Sequence, residues 1–89
     1  MFVLISRYLK PLDVVDAWLP EHRAFLERHY AAHHLLTSGP QSPRVGGVIV
    51  THDITREQVD AILAEDPFVR ESVAEYQVIE FKPTRPINP

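Results

Sequence analysis

The chain has 89 residues, 45% of them hydrophobic and 24% charged, which allows one domain around one modest core and excludes two-domain and repeat architectures. Nine Lys and Arg against twelve Asp and Glu give a formal net charge of -3, so no electrostatic footprint for nucleic acid or an anionic membrane surface exists. With no cysteine, disulfides, thiolate nucleophiles and sulfur-rich zinc sites are excluded.

Met1 to Arg7 lacks a basic leader region, and its apolar run is far shorter than the roughly 20 residues of a spanning helix. A soluble, unprocessed, cytoplasmic protein is therefore expected. Eight prolines and three glycines fall almost entirely between apolar segments and divide the chain into elements. Phe2 to Leu9, rich in β-branched and aromatic residues and ended by Lys10-Pro11, predicts a first strand. Asp13 is the expected N-cap of a helix in which Val15, Trp18, Leu19, His22, Phe25, Leu26, His29 and Tyr30 follow helical spacing. Pro20 interrupts that pattern; because proline disfavours α geometry at Leu19 and suits a first helical position, a short turn and then a main helix from Pro20 to about Ala32 are expected.

Leu35 to Ser38, ended by Gly39-Pro40, and Gly46 to Thr51 predict strands two and three, paired antiparallel through Gln41-Ser42-Pro43-Arg44. Thr55 and Gln58 match a capping box, and Val59, Ile62 and Leu63 mark one face of a second helix that must stop before Pro67. Tyr76 to Phe81 predicts the fourth strand. Lys82 to Pro89 carries three prolines and little to bury; the reading is a single domain with residues 83–89 as a Pro-rich tail in reach of a partner subunit.

The order β-α-β-β-α-β most simply builds an α+β, ferredoxin-like domain, a four-stranded antiparallel sheet with two helices on one face. A sheet covered on one face should alternate apolar and polar residues, yet Phe2-Val3-Leu4-Ile5, Val48-Ile49-Val50 and Val78-Ile79 put large apolar groups on both. The face without helices is expected to pack on a second copy, giving a homodimer with two facing sheets.

Two residues break the apolar pattern in a way that suggests chemistry. His22 sits on the stripe that includes Trp18, Leu19, Phe25 and Leu26, so its imidazole is directed at the sheet. Asp66 lies at the C-terminal end of the second helix's apolar face, where a carboxylate is electrostatically disfavoured and needs hydrogen-bonding partners. A pair between them would do general acid-base work, the carboxylate orienting the imidazole and stabilising its protonated form. The same positions also fit a structurally satisfied histidine and an aspartate that ends a helix by bonding local backbone. Ser38 lies at a strand end beside Gly39, either facing a ligand or in an ordinary turn. His29 and His33, four apart, have a chelating spacing but no third ligand in sequence, so no metal site is expected. The charges Glu21, Arg23, Glu27 and Arg28 read as a solvated helix face. No phosphate loop, zincin motif or nucleotide fingerprint occurs, and no cofactor is expected.

Leu19-Pro20-Glu21-His22-Arg23-Ala24-Phe25-Leu26, Leu35-Leu36-Thr37-Ser38-Gly39-Pro40, Asp66-Pro67-Phe68 and a closing strand containing Tyr76 resemble, in order and spacing, the YciI-like (YCII-related domain) family. The resemblance covers nearly the whole chain. It implies a ferredoxin-like domain that dimerises through its sheets into a dimeric α/β barrel, with a pocket faced by the family's helix histidine and Asp-Pro aspartate. Those positions are His22 and Asp66 here, and Ser38 matches a residue near the cleft; Trp18 and Phe68 are expected as further substrate contacts. Related proteins include a dehydrochlorinase acting on a chlorinated hydroxyquinol. The expected function is therefore a small enzyme using a His-Asp dyad for proton transfer, of isomerase, lyase or dehydrochlorinase type, on a small organic substrate, cyclic and aromatic ones included. The alternative is a non-catalytic homodimer that binds a metabolite or serves a larger enzyme.

Overall fold

Strand pairing places Phe2–Tyr8 (β1) at the centre of the sheet. In the computed structural model, which describes residues 1–85, β1 is followed by α1 (Leu12–Ala31), β2 (Leu35–Pro40), β3 (Gly47–Thr51), α2 (Arg56–Glu65), α3 (Pro67–Arg70) and β4 (Ala74–Glu80). The four strands run antiparallel in the order β2-β3-β1-β4, the ferredoxin-like α+β arrangement expected from the element order.

Register separates the two faces. Leu4 pairs with Ile49 on one side and Val78 on the other, and Ser6 pairs with Tyr76, so Phe2, Leu4, Ser6 and Tyr8 face the helices with Ile49, Tyr76 and Val78. Phe2, Leu4, Leu35, Ile49 and Val59 form one buried cluster, with Leu26, Tyr30 and Leu63 packed against it. Val15, Phe68, Val73 and Ala74 form a second, covered by Tyr8, Trp18 and Leu19. Full burial of side chains such as Phe2, Leu4 and Phe25 stabilises the fold by roughly 1.5–3 kcal/mol each.

The helix signals are partly as read and partly corrected. Thr55 and Gln58 form the expected capping box, the Gln58 amide donating to Thr55 Oγ1 at 3.1 Å and the Thr55 amide to Gln58 Oε1 at 2.8 Å. Pro20, expected to separate a turn from the main helix, instead lies inside one continuous α1. It is exposed, as is Asp16, whose carbonyl loses its partner, so the deletion falls on the solvent side while Val15, Phe25 and His29 anchor the helix. Asp13 is not the N-cap either; Pro11 holds that place and Asp13 sits in the first turn, favourable to the helix dipole.

Beyond Asp66 the chain makes a further short helix, α3, which the sequence pattern did not reveal. Both α1 and α3 end in a Schellman motif without glycine. His34 N–H donates to the His29 carbonyl and His33 N–H to that of Tyr30, with His33 at φ 60°. Val73 and Ser72 bond Phe68 and Val69 in the same way, with Ser72 at φ 54°. Strand β2 continues through Gly39-Pro40 to pair with Val48 and Gly47; at a sheet edge proline's missing N–H costs no ladder bond. Strand β4 starts at Ala74, two residues earlier than expected. Lys82–Arg85 form no helix or strand, and residues 86–89 of the expected tail lie outside the described residues. Among the described residues no helix is long and apolar enough to cross a membrane.

Candidate active site

Helix α1 carries Phe25 and His29 on its buried side, and His22 lies one turn before Phe25 on the same stripe. Across from it, Asp66 ends α2 and begins α3. Its backbone leaves helical geometry (φ -68°, ψ 119°), and its side chain accepts the Phe68 amide at 2.9 Å as the N-cap of α3. The two meet: His22 Nδ1 lies 3.0 Å from Asp66 Oδ1. Asp66 is fully buried, whereas the His22 side chain keeps 13% of its surface.

A buried carboxylate must have its lone pairs used. Asp66 Oδ1 takes the His22 ring and the Phe68 amide, and Asp66 Oδ2 accepts the Tyr76 hydroxyl at 2.7 Å. Burial, and then the neighbouring Asp66 carboxylate, push the Tyr76 phenol far above the usual tyrosine value, so Tyr76 stays a neutral donor. The His22 ring is held from its face as well, stacked on Phe68 with centroids 4.0 Å apart and planes 1° from parallel. With a carboxylate at Nδ1, the neutral ring carries its proton there, which leaves Nε2 with its lone pair; Nε2 has no hydrogen-bond partner among the described residues.

His22 lines a cleft of about 270 Å³ between α1, the β1–β3 end of the sheet and α3. Its walls include the apolar Leu19, Leu26, Ile49 and Phe68, and its polar groups include Ser6, Tyr8, Ser38, Arg23 and Arg44. Ser38 Oγ is 2.5 Å from the Tyr30 hydroxyl, which fixes it against α1. The loop carrying Arg44 is tied down: Tyr8 N–H donates to the Val45 carbonyl, Gln41 Nε2 to the Ser6 carbonyl, and Arg44 bonds Asp16 and lies over the Tyr8 ring. Asp16 first, and then Tyr8, raise Arg44 further above its ordinary value.

Of the residues singled out from sequence, His22, Asp66, Ser38 and Phe68 are brought together at this cleft. Trp18 packs on the Val15–Phe68 cluster and is not among the cleft-lining residues. His29 and His33 do not share a face. His33 is the exposed residue after the helix end, and His29 is buried, with its Nδ1 3.0 Å from His34 Nδ1 and its Nε2 3.3 Å from Glu65 Oε1. Among the described residues no group of three or more His, Asp or Glu side chains is placed to hold a metal ion. Tyr8 and Arg44 were not singled out from sequence; Tyr76 entered only through the closing strand of the resemblance, and Arg23, read as part of a solvated helix face, is exposed but also lines the cleft.

No curated protein matches the chain. A solved structure, the 5-chloro-2-hydroxyhydroquinone dehydrochlorinase of Burkholderia phenoliruptrix AC1100 in complex with 2,5-dihydroxybenzoquinone, shares the fold with a TM-score of 0.74. The match covers 92% of this chain and 94% of that one at 22% identity. The family model for the YCII-related domain matches residues 1–82. The chain therefore belongs to the YCII-related domain family, whose resemblance was carried by the His22, Ser38 and Asp66 segments.

Proposed function

We infer that this protein is a small enzyme that moves a proton on a small organic molecule, with His22 as general acid-base and Asp66 as the residue that orients it. The observation that carries this reading is the 3.0 Å contact between His22 Nδ1 and a fully buried Asp66, on a ring that lines an open cleft. Asp66 holds the tautomer that leaves Nε2 basic, and its charge stabilises the imidazolium formed once Nε2 takes a proton. The C–H bond of the substrate breaks, its electron pair enters a conjugated system or expels a leaving group, and the proton on Nε2 returns to another atom or to water. Isomerisation and elimination both fit this sequence. The similar dehydrochlorinase, with 2,5-dihydroxybenzoquinone in its complex, supports elimination from a small ring as one version.

The test begins with a thermal-shift panel of small acids, lactones and phenols. Hits are then followed by NMR in D2O for exchange or loss of the acidic C–H. His22→Ala and Asp66→Asn should fold and bind, yet lose turnover by about 10²–10⁴-fold. Full activity in either variant would remove that residue from the mechanism. Tight binding with no chemical change, indifferent to His22, would instead favour the metabolite-binding module.

A further inference from the structure

The charge distribution of the cleft runs against that of the chain. The protein carries twelve acidic and nine basic side chains, yet the cleft is lined by two arginines, Arg23 and Arg44, and by no Asp or Glu among the described residues. Asp66 is sealed behind His22, with both oxygens engaged. Arg7, Arg28, Arg44 and Arg56 each have a carboxylate at salt-bridge distance; Arg23, Arg70 and Arg85 have none among the described residues, and of these three only Arg23 lines the cleft. Arg23 is exposed at the mouth of the cleft, where a guanidinium without a counter-charge attracts an anion from solution and binds its oxygens in a fixed fork.

We propose that the cleft selects a small organic anion, a carboxylate or enolate-type oxyanion on an apolar body, with Arg23 and Arg44 as the specificity-determining cations. The inference rests on the proton-transfer reading only for what happens after binding. Leu19, Leu26 and Ile49 supply the apolar wall for the body of the ligand. The cleft, at about 270 Å³, lies just below the range of sites for drug-sized ligands and suits a molecule of one ring. Arg44 is shared with Asp16, but that pair is exposed, with side chains 36% and 51% accessible, so it yields to a ligand oxyanion at little cost. A charge held near the arginines also lies near His22, where it would favour the imidazolium formed during proton transfer.

Benzoate and its neutral isostere benzamide are the probes, titrated into the full chain and followed by amide chemical shifts. Benzoate should bind at the His22 cleft at least about tenfold more tightly than benzamide, with an affinity that falls as salt rises. Arg23→Gln should weaken benzoate by about tenfold and leave benzamide unchanged, and Arg23→Lys should restore part of the difference. Asp16→Asn gives an opposing readout: freeing Arg44 should tighten benzoate, whereas loss of a merely structural tie would loosen it. Equal binding of the two probes, binding of neither, or unchanged discrimination in Arg23→Gln would overturn the proposal. None of these outcomes depends on turnover, so the proton-transfer reading can fail while anion selection stands, and the reverse.

Discussion

Asp66 shows how one side chain can serve the fold and the cleft together. Its carboxylate caps α3 through the Phe68 amide, receives the Tyr76 hydroxyl and meets the His22 ring. Removing one donor leaves a buried acceptor unpaired, which costs about 1–3 kcal/mol. Tyr76→Phe should therefore lower unfolding free energy at neutral pH by that amount in urea titrations. The pH dependence adds a second signature. The Tyr76 phenol has a raised value in the folded protein, against about 10 in the unfolded chain, so its contribution is fully present below that pH and is lost as the pH rises above it. Wild type should lose more stability than Tyr76→Phe between pH 9 and 11, on the order of the phenol's unfolded titration. Parallel losses in the two proteins would show that Tyr76 is not the group responsible.

At the scale of elements, two glycines in the β2–β3 region separate packing from ornament. A Cβ on Gly46 would sit 1.8 Å from the Ser6 carbonyl oxygen and 2.6 Å from its carbon, both backbone atoms, so β1 or the loop would have to move. A Cβ on Gly39, which lines the cleft, would meet nothing within 4 Å. Gly46→Ala should cost about 3 kcal/mol or more, or prevent folding, while Gly39→Ala should stay within about 0.5 kcal/mol of wild type in denaturant melts. Equal effects would mean that the loop relaxes around the added methyl. Local chemistry of this kind explains what could be read in advance. The strands, the Thr55 capping box and the stripe carrying His22 were legible because each rests on residue type at fixed spacing. The Pro20 break was misjudged because propensity is a local term, and burial of Val15, Phe25 and His29 on either side outweighs it. Helix α3 was not legible because its start signals, Asp66 as N-cap and Pro67 at the first position, double as the end of α2, and because the chain leaves it after Arg70 through Ser72 in a left-handed conformation that glycine more often fills. The pairing of His22 with Asp66 could be suspected from two misplaced polar groups, but Tyr76 as its third member needed the β1–β4 register that puts it beside Ser6.

At the scale of the molecule, the face of the sheet turned away from the helices has the composition of an interior. Val3 lies between Val50 and Ile79 across the strands, and Ile5 beside Val48. Val3, Ile5, Val48 and Val50 are only half-buried, and Ile79 and Phe81 are 39% and 38% exposed. A contiguous apolar patch of that kind on a small domain is costly in water and marks an interaction surface. We therefore expect the homodimer anticipated from the sequence, with a second copy laid sheet to sheet on this face in an isologous arrangement. The Arg7–Glu75 ion pair, on the same face, would sit toward the rim, where charged residues tolerate an interface. Val3→Lys tests this without touching the cleft, because Val3 points away from the helices while Phe2 and Leu4 keep the core. Light scattering should give wild type twice the 10.2 kDa chain mass and the variant near that mass, with native helical circular dichroism in both. The wild-type melting temperature should rise with protein concentration and that of Val3→Lys should not, because only a dimer couples folding to association. A wild type that stays monomeric and concentration-independent up to hundreds of micromolar would leave this face without a partner and remove the sheet-to-sheet dimer.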